Sequence, residues 1–266
     1  LRRFHNRCHA TMTPTAALAS ELRAEGFRGL HVVGRGVDTT LFHPSRRCEA
    51  LRRSWGVRPE DLVILSVGRL APEKNLPLLE RAATRVVAAR PGTRVVLVGD
   101  GPCRGSLARR WPEALLAGRQ RGEDLARCYA SGDILLFPSL TETFGNVTLE
   151  AMASGLGVVA FGYGAAGEVI EDGRSGWLAP VGDADAFVRA AVAAATNPQA
   201  LAVVRSAAAA MALRLGWDRI VEDIVAVYGL AVRERLRAHP SPKEPESRWA
   251  EPSDRESEPT ASRGWS

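Results

Sequence analysis

Two glutamates lie in the stretch Ser139-Leu-Thr-Glu142-Thr-Phe-Gly145-Asn-Val-Thr-Leu-Glu150-Ala-Met-Ala-Ser-Gly155. An ionised carboxylate offers two acceptor oxygens, which suits a pair of vicinal hydroxyls. The apolar run Asp133-Ile-Leu-Leu-Phe137 before them reads as a short buried strand, ended by Pro138, which cannot donate to a ladder. A helix is expected from Asn146, a good N-cap type, to a stop at Gly155. Phe144, Gly145, Asn146 and Val147 then present backbone N–H groups at a helix N-terminus, a ready site for an anion. Gly145 lets a ligand approach the backbone closely. Eight helical residues rise only about 12 Å, so Glu142 and Glu150 can reach opposite ends of one small polar ligand.

A second constellation, Gly68-Arg69-Leu-Ala-Pro-Glu-Lys74-Asn75, follows the apolar run from Leu62 to Gly68. Arginine supplies a planar fork of donors and lysine a compact point charge, and both suit phosphate. The chain has two lysines, Lys74 and Lys243, against 35 basic residues in all. A lysine kept where arginine is used almost everywhere suggests a need for its geometry. Gly99-Asp-Gly-Pro102 reads as a tight turn, and Asp183-Ala-Asp185 as the start of a helix, where capping and the helix dipole favour aspartate.

Together these motifs resemble retaining GT-B glycosyltransferases of the large family 4 type. The wording from Thr141 to Gly155 is most similar to bacterial GDP-mannose-dependent α-mannosyltransferases. The resemblance covers roughly Arg3 to Leu236. It implies that Glu142 touches the donor sugar, Glu150 binds the ribose diol, and Arg69 and Lys74 clamp the donor diphosphate. It implies further donor contacts from Gly68, Thr143, Phe144, Gly145, Asn146 and Val147, and places Arg119 in the base-contacting loop. Glu168, in Gly164-Ala-Ala-Gly-Glu168, is either a site residue beside a Gly-rich loop or a surface glutamate. The implied chemistry is transfer of a hexose, mannose from GDP-mannose, to a lipid or glycan acceptor with the α configuration kept. It needs neither metal nor cofactor, because cations and helix N–H groups can neutralise the leaving diphosphate. Two alternatives stay open: a UDP-sugar-dependent transferase acting on a lipid, and a non-catalytic nucleotide-binding remnant.

From Leu62 onward, strands and helices alternate. Near-continuous apolar strands in βαβα order argue a Rossmann-like, doubly wound parallel sheet, which the resemblance implies is the C-terminal half of a GT-B fold. The resemblance implies that residues 1–40 are the end of an N-terminal acceptor domain and its linker, and 41–237 the donor-binding domain. The Pro-, Ser- and Glu-rich residues 238–266 read as a disordered tail. The resemblance implies an acceptor-binding domain ahead of Leu1. No apolar run is long enough to span a membrane. Four scattered cysteines suggest reduced thiols and a cytoplasmic setting. Residues 1–60 carry eleven arginines against five acids, which would suit peripheral association with the inner face of an anionic membrane. Aromatics at 6% and the lack of a recognisable motif argue against nucleic acid.

Overall fold

The computed structural model describes residues 1–142 and 144–238. Thr143 and the expected tail lie outside the described residues, except Ala238, which ends the last helix. The chain opens with α1 (Arg2–His5), β1 (Thr11–Thr13), α2 (Ala16–Ala24) and β2 (Leu30–Val32). β1 and β2 form a two-stranded parallel sheet, with Met12 opposite His31. After α3 (Glu49–Ser54) comes the alternating region: β3 (Val63–Val67), α4 (Leu76–Ala89), β4 (Arg94–Val98), α5 (Arg104–Arg110), β5 (Leu115–Gly118), α6 (Gly122–Ala130) and β6 (Ile134–Phe137). It continues through α7 (Asn146–Ala153), β7 (Gly157–Phe161), α8 (Gly164–Val169) and β8 (Trp177–Ala179). Three helices close it: α9 (Ala184–Thr196), α10 (Pro198–Ala212) and α11 (Trp217–Ala238).

The six-stranded sheet has the order β5-β4-β3-β6-β7-β8, and every neighbouring pair is parallel. Successive strand residues point to opposite faces, and here both faces are covered. Val63, Leu65, Val96, Leu135 and Val158 enter one core with α6, α7 and α10. Ile64, Leu97, Ile134, Leu136 and Val159 enter the other with α4, α5 and α9. That is why the strands read as unbroken apolar runs and not as alternating ones. α11 turns its Ile220 and Val227 toward Val33, beside the first sheet.

β3 lies between β4 and β6. The chain leaves β3 toward β4 on one side and returns to β6 on the other. The loops after β3 and β6 therefore diverge, leaving a crevice at the carboxyl ends of these strands. At the opposite end, Asp133 fixes the same two strands. Its Oδ2 accepts the Val63 amide at 2.8 Å and Arg52 Nη1 at 3.1 Å. Its Oδ1 accepts Arg205 Nη1 at 2.9 Å and Arg47 Nη1 at 3.2 Å.

Three local expectations change. Gly145, not Asn146, is the N-cap of α7; its φ of 95° is open to glycine without strain, and no side chain caps the helix. Residues 164–169 form a helix and not a loop. α3 was not anticipated, because its six residues carry no apolar period and its buried residue is Arg52.

Candidate active site

Lys74 closes the turn Pro72–Lys74, after which Asn75 takes a left-handed conformation and starts α4. This brings the ammonium across the crevice. Lys74 Nζ donates to Glu142 Oε1 and stands 5.7 Å from the centre of the Phe137 ring, the last residue of β6. Both partners are shielded, with side chains 22% and 15% exposed, so their attraction is screened less than at the surface. Arg69, on the same loop, is exposed and among the described residues pairs with Glu73 at 3.4 Å. Such a pair holds weakly, which leaves the guanidinium available to a ligand. Arg69 lines a cleft of about 430 Å³ with Gly68, Gly99, Asp100 and Arg119.

The turn at Gly99 braces this loop. A Cβ on Gly99 would sit 1.8 Å from the Gly68 carbonyl oxygen, and one on Gly101 2.4 Å from that of Leu70. The Leu70 amide donates to Asp100 O, and the Cys103 amide to Leu70 O, each at 2.9 Å. The turn therefore sets the position of the Arg69 loop by backbone contact.

Across the crevice, the loop into α7 is held from behind. Phe144 is buried, and its carbonyl oxygen accepts the Ala165 amide at 2.6 Å. A Cβ on Gly164 would come within 2.9 Å of the same oxygen. Tyr163 donates its hydroxyl to Ser139 O at 2.8 Å, and burial pushes that phenol up to about 12. At the start of α7 the Thr148 amide turns back to Gly145 O at 3.0 Å, while the Asn146 and Val147 amides have no preceding turn to accept them. One turn into the helix, Glu150 Oε2 accepts the hydroxyl of Tyr129 at 2.8 Å. Burial raises the Glu150 carboxyl above its ordinary value, and the Tyr129 hydrogen bond offsets part of that rise.

The structure thus brings Gly68, Arg69, Lys74 and Glu142 to the switch point, with Gly145, Asn146, Val147 and Glu150 on the adjoining helix and Arg119 at the cleft's far wall. The two glutamates have different partners, Lys74 for one and Tyr129 for the other. Tyr129, Phe137 and Tyr163 were missed; each reads in the sequence as an ordinary core aromatic. Glu168 is not at the crevice: its Oε1 accepts the Ala16 amide at 2.8 Å, at the N-terminus of α2. Asp183 caps α9 through the Ala186 amide at 2.8 Å, and Asp185 pairs with Arg81. Among the described residues no three His, Cys, Asp or Glu side chains gather as a metal site would need.

An open parallel sheet whose working loops leave at its switch point belongs to the Rossmann-like class of nucleotide-binding domains. Residues 61–197, just over half of the chain, match the glycosyl transferases group 1 family, and the chain belongs to it. It is 37% identical over 237 residues to a GDP-mannose-dependent α-mannosyltransferase of Mycobacterium tuberculosis, covering 88% of this chain and 60% of that protein. It is 38% identical over 242 residues to the enzyme of the same name from Mycolicibacterium smegmatis, covering 89% and 61%. Among solved structures it superposes on Anabaena HepE, crystallised with UDP and glucose. The TM-score is 0.74 at 25% identity, covering 86% of this chain and 65% of that one. The chain spans about three fifths of the length of these mannosyltransferases.

Proposed function

We propose that this chain is the donor-binding half of a retaining glycosyltransferase that takes mannose from GDP-mannose. The observation that carries the reading is the meeting of Lys74 and Glu142 across the β3–β6 switch point, beside the glycine-opened start of α7. The names of the mannosyltransferase relatives support the donor. The diphosphate would lie between Arg69, Lys74 and the first amides of α7, with the ribose toward Glu150 and the base toward Arg119. When it binds, Lys74 exchanges Glu142 for phosphate oxygens, and Glu142 is released to the sugar hydroxyls. The bond from the anomeric carbon to the diphosphate breaks, and its electron pair passes to the phosphate oxygen that Lys74 and Arg69 stabilise. The acceptor hydroxyl oxygen bonds to the anomeric carbon on the same face, and its proton goes to the leaving diphosphate.

The acceptor class we propose is a lipid or glycan. No single helix among the described residues is long and apolar enough to cross a membrane; the arginine-rich first sixty residues are our reason for proposing peripheral contact with an anionic one. Calorimetric titration of GDP and UDP tests the donor. GDP should bind about tenfold tighter or better, a difference of about 1.4 kcal/mol. Tighter UDP binding would move the reading to a UDP-sugar donor, and binding of neither would refute the donor-binding reading.

A further inference from the structure

We propose that Tyr129 is the positioning residue of the ribose subsite: it turns the Glu150 carboxylate so that its free oxygen faces the two ribose hydroxyls. The proposal rests on the reading of Glu150 given above and extends it to a residue in a different element. Tyr129 sits on the buried face of α6 and is fully enclosed. Phe42 meets its ring edge-on at 5.6 Å and 82°, which fixes where the hydroxyl can point. That hydroxyl lies 2.8 Å from Glu150 Oε2. Burial holds the phenol well above its usual value, so it stays protonated and acts as a donor. It therefore occupies one acceptor position of the carboxylate and leaves Oε1 with both lone pairs. A diol brings two donors and needs two acceptor positions at a fixed angle. A carboxylate free to turn about its last torsion loses entropy when it must meet both; one already held by Tyr129 does not.

A buried tyrosine that merely satisfies its own hydroxyl would predict a different outcome in binding. Tyr129→Phe keeps the ring and removes the donor. In the full chain, GDP affinity should fall roughly three- to tenfold, the size of one hydrogen bond. Affinity for 2′,3′-dideoxy-GDP should not change, because that nucleotide lacks the diol. Phe42→Leu, which loosens the ring but keeps the hydroxyl, should give a smaller loss with the same selectivity for GDP. Calorimetric titration of both nucleotides against the three proteins reads this directly. Equal weakening of both by Tyr129→Phe, or no weakening of either, overturns the positioning role. If the unaltered protein binds GDP and its dideoxy analogue equally well, the ribose assignment of Glu150 fails first, and the proposal falls with it. If Tyr129→Phe does not fold, Phe42→Leu decides: loss of GDP affinity alone supports the proposal, and equal loss for both nucleotides overturns it.

Discussion

Lys74 and Glu142 satisfy each other across the crevice, and this changes what their removal should do. Glu142→Ala frees the ammonium, so GDP should bind as well as before or a few-fold tighter, while sugar transfer by the full-length enzyme falls. Lys74→Ala should lower the maximal rate by about a hundredfold or more, because the charge it meets grows as the bond breaks. Lys74→Arg should not restore it: a planar fork does not reproduce the compact point charge that stands beside Phe137 and Glu142. Calorimetry with GDP beside steady-state kinetics separates these effects, and loss of GDP binding in Glu142→Ala would refute the assignment. Glu150 carries a stability consequence of its own. Its folded-state value is raised by burial. Below the unfolded value both states hold the proton and the shift has no effect; as pH rises through the unfolded and then the folded value, stability is lost. Glu150→Gln removes that loss while still accepting the Tyr129 hydroxyl. It should melt higher at pH 7, with the gap closing toward pH 4, and should bind GDP less tightly.

At the scale of elements, the strands were legible because both sheet faces are buried. β3 (Val63–Val67) and β6 (Ile134–Phe137) lie within a residue of the apolar runs 62–68 and 133–137. The Arg69 loop and the α7 entry were legible for another reason: glycine, proline and charge cluster where strands end. What stayed hidden was partnership. Nothing local in Cys128-Tyr129-Ala130 tells that the phenol reaches a glutamate 21 residues on. Nor does the run Gly164-Ala-Ala-Gly-Glu168 show that it coils and grips the Phe144 carbonyl. α3 was missed since a buried arginine leaves no apolar trace. The glycine brace gives a sharp test at this scale. Gly99→Ala puts a methyl where the Gly68 carbonyl lies, at a φ of 148°. Either the Arg69 loop shifts or the turn does, at an expected loss of about 3 kcal/mol, as overpacking and backbone strain together would give. Thermal melts and GDP titration should both worsen; an unchanged melt would show that the loop yields freely.

For the molecule as a whole, Asp133 is the tie. It binds a strand amide and three guanidiniums from residues 47, 52 and 205, joining the entry to the domain, the sheet and α10. Asp133→Asn leaves those charges without their counter-ion and should destabilise by about 3–5 kcal/mol, read by urea unfolding, without altering any group in the crevice. The proposed metal independence is also a whole-enzyme property: transfer by the full-length enzyme should survive excess chelator, and turnover that returned only with added magnesium or manganese would refute it. The scarcity of lysine has a practical side. Up to residue 238, Lys74 carries the sole side-chain amine; Lys243 is the other. An amine-reactive acylating reagent therefore has one side-chain target inside the crevice and one far along the sequence to serve as an internal control, and peptide mapping separates both from the α-amine. The rate at which Lys74 is acylated, followed by peptide mass spectrometry, is a footprint of occupancy. A nucleotide that seats its diphosphate there should shield that single amine, so candidate donors can be ranked by protection without knowing the acceptor.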